Sequence, residues 1–279
     1  MFKTLLVHVP TERSPRPVIE GSVSLAHACG ARLDAFSVGY ETATSVPVIA
    51  EGGAAVAAIF EIEEQRATAR AEAALAVFET EARAAGISHS SQAIAAMPAE
   101  AASRAGAMAR IYDLTIVPQP DFDHGTFDNT LAQEILFRSG GPVLFIPYTF
   151  RGSFSAKRIG ICWDGSRLAA RALRDALPLL RRADALTVIA VKGGEEPPVE
   201  SSSEHLVEHL AHAGLTARIV SFTADHGGIQ PGLLSAAADE SIDLLVMGGY
   251  GHSRLQEIVL GGVTRDMLRA MTVPTLMSH

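Results

Sequence analysis

Short apolar runs alternate with amphipathic stretches along the whole chain. FKTLLVHV (2–9) and AKRIGICW (156–163) each place a Lys ahead of an apolar run suited to a strand buried on both faces. After the second of these, SRLAARALRDALPLLRRA (166–183) carries apolar residues at helical spacing and basic residues in its last turn. ALTVIAV (185–191) is a short β-branched run, SEHLVEHLAHAG (203–214) is helical up to Gly214, and TARIVSFTA (216–224) alternates as a strand does. PGLLSAAADESI (231–242) predicts another helix and DLLVMGG a fourth strand, and a helix near 263–271 precedes a last strand. Strands alternating with helices predict parallel βαβ units in a doubly wound α/β sheet.

The first half follows the same plan, with a helix over RPVIEGSVSLAHACG (16–30) and a strand over RLDAFSVGY (32–40). DLTIVPQP (113–120) matches DLLVMGGY (243–250), and GPVLFIP (141–147) matches TVPTLMS (272–278). Together with the two Lys-led runs these pairs are collinear, which predicts a duplication of a whole domain. The first copy is longer in its middle, through 41–60 and an Ala/Glu-rich run from Glu61 to about Ala85. That run is a good helix former, expected as an extended covering helix. The polar YTFRGSFSA (148–156) reads as the linker between domains at 1–149 and 156–279.

Composition narrows the classes. With 48% apolar and 19% charged residues the chain is globular, and 279 residues suffice for about two domains. Acids outnumber bases, 31 to 23, for a net charge of −8, which argues against a whole-surface nucleic-acid binder. Cys29 and Cys162 are too few for a disulfide framework or a zinc set and read as reduced thiols. The opening MFKTLLVHVP reads as a strand and not a signal peptide, and no apolar stretch reaches about 18 residues. A cytoplasmic protein without a membrane partner is expected.

The sharpest local feature is MGGYGHSRLQEIVLGGVT (247–264), directly after a predicted strand. Its spacing is Gly248-x2-Gly251-x9-Gly261-Gly262. Glycines let backbone N–H groups approach an anion closely, and a helix start after Gly262 favours phosphate through its dipole. Thr264 is a candidate hydroxyl donor there or a helix starter. No Gly-Lys-Ser/Thr follows, so this is no Walker A loop, and the glycines follow the fourth strand, unlike a dinucleotide fingerprint. The first strand of the same half ends in ICWDGS, with Asp164 at its carboxyl edge. Ligands of doubly wound sheets bind at that edge, where strand order reverses. Asp164 can accept hydrogen bonds from a ribose or base, or serve the turn before Ser166.

These residues resemble the universal stress protein family, here as two such domains in tandem. The resemblance implies a five-stranded parallel sheet of order 3-2-1-4-5 in each half. It also implies an adenine nucleotide such as ATP in the second half, with Mg2+ as a candidate companion. The family motif G-x2-G-x9-G-(S/T) matches at Gly248, Gly251 and Gly261, with Gly262 where the family has a hydroxyl residue. Asp164 matches the family aspartate, and Val191 falls where the family's backbone holds adenine. Met247, Val263 and Thr264 flank the glycines and complete the implied site. The first half departs: Pro10 replaces Asp164, and Pro118, Gln119, Pro120 and Asp121 replace Gly248 to Gly251. Prolines lack N–H donors and Asp121 repels phosphate, so the first half is expected not to bind nucleotide. The family's dimers imply an internal pseudo-dimer through the last strands, 142–148 and 273–278, and leave a homodimer open.

Other constellations compete. His205, Glu208 and His209 match H-x-x-E-H, and His212 shares their helical face, but an outer helix with a solvated histidine face is the expectation. Asp121, Asp123, His124 and Asp128 gather in PDFDHGTFDN (120–129) without the calcium-loop pattern, and read as a polar loop. His252, Arg254 and Arg265 are candidates to offset phosphate charge. No residue reads as an activator of water, so binding is expected rather than catalysis. The alternatives are a nucleotide-independent scaffold and a weak ATP- or metal-dependent hydrolase.

Overall fold

A computed structural model describes residues 1–41, 53–192, 197–249 and 262–279. Its first half runs β1 (Thr4–His8), α1 (Arg16–Cys29), β2 (Arg32–Tyr40), α2 (Gly53–Ala84), β3 (His89–Ala96), α3 (Pro98–Ala109), β4 (Leu114–Pro118), α4 (Phe127–Arg138) and β5 (Val143–Ile146). The second half runs β6 (Arg158–Cys162), α5 (Arg167–Leu180), β7 (Ala185–Lys192), α6 (Ser203–His212), β8 (Ala217–Thr223), α7 (Ile229–Asp239), β9 (Leu244–Gly248), α8 (Val263–Ala270) and β10 (Thr275–Ser278). This is an α/β fold with a mostly parallel sheet flanked by helices. The extra helix begins at Gly53, earlier than the Ala/Glu-rich run alone indicated.

Among the described residues, ten strands form one sheet in the order β3-β2-β1-β4-β5-β10-β9-β6-β7-β8. Every pairing is parallel except β5 with β10, where Leu144 faces Leu276 across an antiparallel seam. Read outward from that seam, both halves have the same sequence of positions. Because β5 and β10 are antiparallel, the carboxyl ends of the two sets of strands point to opposite edges of the sheet.

The strands are apolar on both faces because helices cover both. Leu5, Val7, Ile116, Leu144, Leu276, Val246 and Ile161 line one apolar layer, and Leu6, Val117, Phe145, Met277, Met247 and Leu245 line the other. Each layer runs through the seam without interruption. The connection between halves is tied to α1, where Phe154 N donates to Ser24 Oγ (2.8 Å) and Gly152 N to Glu20 Oε2 (3.0 Å).

α2 lies tightly over the carboxyl end of β2. A Cβ on Gly39 would overlap the Ala67 main chain, which cannot swing aside as a side-chain tip can. Arg70 Nη2 also donates to the Tyr40 carbonyl (2.8 Å). Gly39→Ala is therefore expected to cost about 3 kcal/mol through overpacking. Gly30→Ala, in open space at φ +58°, should cost only about 1 kcal/mol of left-handed strain. Denaturant unfolding of the two variants checks the order, and equal losses would contradict the packing of α2 on Gly39.

Candidate functional site

In the second half β6 and β9 are parallel neighbours, with Ile161 paired to Val246, so their carboxyl ends lie side by side. The turn after β6 is set by its own residues. Asp164 Oδ1 accepts from Ser166 N (2.9 Å), Gly165 takes φ +71°, and Ser166 Oγ accepts from Ala169 N (3.1 Å) to cap α5. Asp164 thus serves the turn while its carboxylate stays exposed at the edge. Burial, and then Asp164 nearby, push the Cys162 thiol up to about 12, so it is a poor nucleophile. Cys29 is also free and buried.

Gly248 ends β9 against the first turn of α5, where a Cβ would stand 2.7 Å from Ala169 N. A glycine is needed there for packing whatever else it does. Met247 is buried, and Val191 is half-buried at the end of β7, paired with Phe222. α8 returns the chain to the start of β10, which is parallel to β9, so its N-terminus opens on the same edge. Gly262 is its N-cap and provides no side-chain cap. Val263 is half-buried, and Thr264 is buried on the first turn, which favours its helix-starting role over a solvent-facing donor. Gly251 and Gly261, with His252 and Arg254, lie outside the described residues. Arg265 and Arg269 each place the guanidinium 5.9 Å from the Phe122 ring centroid, a cation–π contact that engages Arg265 with the first half.

The corresponding edge of the first half is filled by its own side chains. His8 is fully buried at the end of β1, stacked on Phe36 at 5.1 Å, with Nε2 3.4 Å from Asp128 Oδ1. Tyr40 donates its hydroxyl to Asp128 Oδ1 (3.0 Å), and Glu12 N donates to Asp128 Oδ2 (3.2 Å). In return Asp128 N, on the first turn of α4, donates to Glu12 Oε2 (3.0 Å). A carboxylate therefore occupies the positive end of α4, the kind of position that favours negative charge.

Burial alone would raise the Asp128 carboxyl, but His8, the Glu12 N–H and Tyr40 outweigh it and hold it below its ordinary value. Burial raises Glu12, reinforced by the Asp128 charge, and raises Tyr40 still more. Burial lowers the Arg13 guanidinium, which donates through Nη1 to the Gln119 carbonyl. None of His8, Glu12, Arg13 or Tyr40 was singled out by motif, because they converge from separate elements. The 120–129 segment is split: Asp121, Asp123 and His124 form a surface turn with Asn129, and Asp128 turns inward.

His205, His209 and His212 lie on the exposed side of α6, and His205 Nδ1 contacts the Val199 carbonyl (2.6 Å) beside the helix cap. Among the described residues, no His/Cys/Asp/Glu group has metal-holding geometry, and no helix is long and apolar enough to cross a membrane.

Residues 155–279 match the model of the universal stress protein family. A universal stress protein of Synechocystis sp. is 38% identical over 50 residues, 18% of this chain and 17% of that relative. One from Methanocaldococcus jannaschii is 36% identical over 44 residues, 16% of this chain and 27% of the relative. The chain thus spans well under a third of these curated relatives. Among solved structures, a universal stress protein from Archaeoglobus fulgidus superposes with a TM-score of 0.74 at 16% identity, covering 98% of this chain and 95% of that one. That likeness concerns the fold.

The acid cluster sets a pH dependence. Asp128 lies below its ordinary 3.8 when folded, so its stabilisation is complete above that value and lost as pH falls through the folded pKa. Glu12 lies above 4.5, so its contribution has the opposite sign, present below 4.5 and lost as pH rises. Asp128→Asn should cost about 2 kcal/mol at neutral pH and flatten the loss of stability below about pH 4. Glu12→Gln should instead remove a decline above about pH 4.5. Unfolding free energies measured from pH 3 to 7 check both, and parallel profiles for wild type and Asp128→Asn would contradict the assignment.

Proposed function

We propose that this is a stress-response protein that binds ATP or a related adenine nucleotide in its second half. In this reading the chain is two tandem domains, 1–149 and 156–279, each with a 3-2-1-4-5 sheet, docked as an internal pseudo-dimer. The antiparallel β5–β10 seam and the repeated strand order support that organisation. Asp164 and the Val191 main chain hold the adenosine. Met247, Gly248, Gly251, Gly261, Gly262, Val263 and Thr264 form the phosphate side, with Mg2+ as a companion ion. The carrying observation is the contrast between two helix starts. Among the described residues α8 begins at Gly262 without a side-chain cap, and it opens on the edge of the sheet where the turn after β6 exposes Asp164, whereas Glu12 fills the start of α4. The family match over 155–279 supports the same half.

A second reading, a scaffold that uses no nucleotide, is favoured by one observation: Gly248 is required by its contact with Ala169 whether or not a ligand binds.

Protein purified without added nucleotide and then denatured should release about one adenine nucleotide per chain, read by chromatography with mass detection. Two per chain would refute the assignment of the first half. None, with no thermal shift in millimolar Mg-ATP, would favour the scaffold. Asp164→Ala should weaken nucleotide binding about tenfold, the scale of a lost hydrogen bond. Asp164→Asn keeps the turn acceptor for Ser166 and separates ligand contact from turn loss.

A further inference from the structure

Gln119 follows β4 in the first half and is 1% exposed. Its side-chain amide donates to the carbonyls of Leu268 (2.9 Å) and Arg269 (3.1 Å), in the last turn of α8 in the second half. Those carbonyls are among the four that a helix end leaves without intrahelical partners. The side-chain oxygen accepts from Tyr148 N (3.2 Å), and the main-chain N donates to the Ile146 carbonyl (2.8 Å). Arg13 grips the Gln119 carbonyl. Every polar group of this residue is therefore used, and together they join the closed edge of the first half to α8. Phe122, a short way along the chain, lies against Arg265 and Arg269 of the same helix.

The opposite position shows what is particular to Gln119. Gly249 follows β9 and makes the matching main-chain bond to the Ser278 carbonyl (2.9 Å), but it has no side chain with which to hold the end of α4. The second half meets the end of α4 by other means: Arg171 donates to the Gly140 carbonyl just past that helix, and the His279 ring stands edge-on to Phe137 at 4.8 Å. The eight residues of α8 span about 12 Å. One end rests on Gln119, and the other is the helix start assigned to phosphate.

We propose that Gln119 is a positioning residue from the first half. It fixes the axial placement of α8 and thereby sets the phosphate affinity of the second half. The nucleotide part rests on the function proposed above; the fixing of α8 does not. The half without a nucleotide site is then a fulcrum for the other. Reciprocity follows, since a ligand at the N-terminus of α8 must steady the Gln119 contact as much as that contact aids the ligand.

The test uses the full chain as wild type, Gln119→Met and Gln119→Glu. Met is similar in length and has no donor. The Gln119→Glu carboxylate faces two carbonyls without a proton and regains one donor on protonation. Hydrogen exchange of the Val263–Ala270 amides is measured without nucleotide, and Mg-ATP titrations are run at pH 7.5 and 5.5. Both variants should exchange faster in α8 than wild type, with β1, β4 and β6 unchanged. Both should bind Mg-ATP roughly tenfold more weakly at pH 7.5, within the usual range of coupling between sites. Gln119→Glu, but not Gln119→Met, should recover part of that loss at pH 5.5.

Unchanged α8 exchange in both variants would overturn the proposal. So would unchanged Mg-ATP affinity in variants whose wild type binds. If wild type binds no Mg-ATP, the nucleotide reading fails. The exchange result then decides alone whether Gln119 fixes α8.

Discussion

The antiparallel pairing of β5 with β10 is the constraint on which the rest depends. A parallel sheet buried on both faces is stable in its middle and exposed at its edges, where unpaired N–H and C=O groups invite other strands. Here one edge of each half is consumed by the other half, and among the described residues β3 and β8 remain as edges. The pairing also aligns the two apolar layers, so Leu144 and Leu276 belong to one core and Phe145 and Met277 to another. Hydrophobic burial across the seam is non-directional. The main-chain ladder gives it a register.

That register explains why the two halves share groups yet differ in chemistry. Strands on the two sides of the seam point in opposite directions, so the carboxyl edge of one half abuts the amino edge of the other. α4 and α8 each cross the sheet between these edges. On one side the crossing ends at Gln119, a residue with polar reach; on the other it ends at Gly249, which bonds Ser278 and His279 through its main chain and has no side chain to extend. The first half has also spent its own edge. α2 presses on Gly39, Glu12 caps α4, and the His8–Asp128–Tyr40 group occupies the interior. A carboxylate supplied by the chain acts at a high effective concentration that dilution does not change.

Much of this was legible in the sequence. The apolar runs of β1, β6 and β9 stand out because parallel strands are apolar on both faces, and the same runs place Asp164 just after β6 and Gly248 at the end of β9. The reason for Gly248 was not legible. Its contact is with the main chain of Ala169, and backbone proximity leaves no pattern beyond the glycine itself. The polar group of the first half was hidden for another reason. His8, Glu12, Tyr40 and Asp128 are far apart in sequence, and nothing local requires them to meet. Asp128 was noted only as one of several acids in a polar loop, where its neighbours Asp121 and Asp123 do remain on the surface. In the sequence Gln119 stands out only as a departure from a glycine pattern, a loss. Its partners are carbonyls, which every residue has, so the gain could not be read from composition or spacing.

The seam has a consequence for how such a chain is joined. Because β5 ends at the edge where β6 must begin, the connector over 147–157 joins them without a helix of its own, held on α1 through Gly152 and Phe154, with the Phe154 ring in the apolar layer. A head-to-tail fusion of two similar units needs only a short strap of this kind, with no crossover helix and no rearrangement of either unit. Once the strap exists, docking costs no translational entropy of a second molecule and does not depend on dilution. Each half is then free to diverge, since a substitution that weakens the interface no longer releases the partner, and asymmetric residues such as Gln119 can accumulate on one side alone.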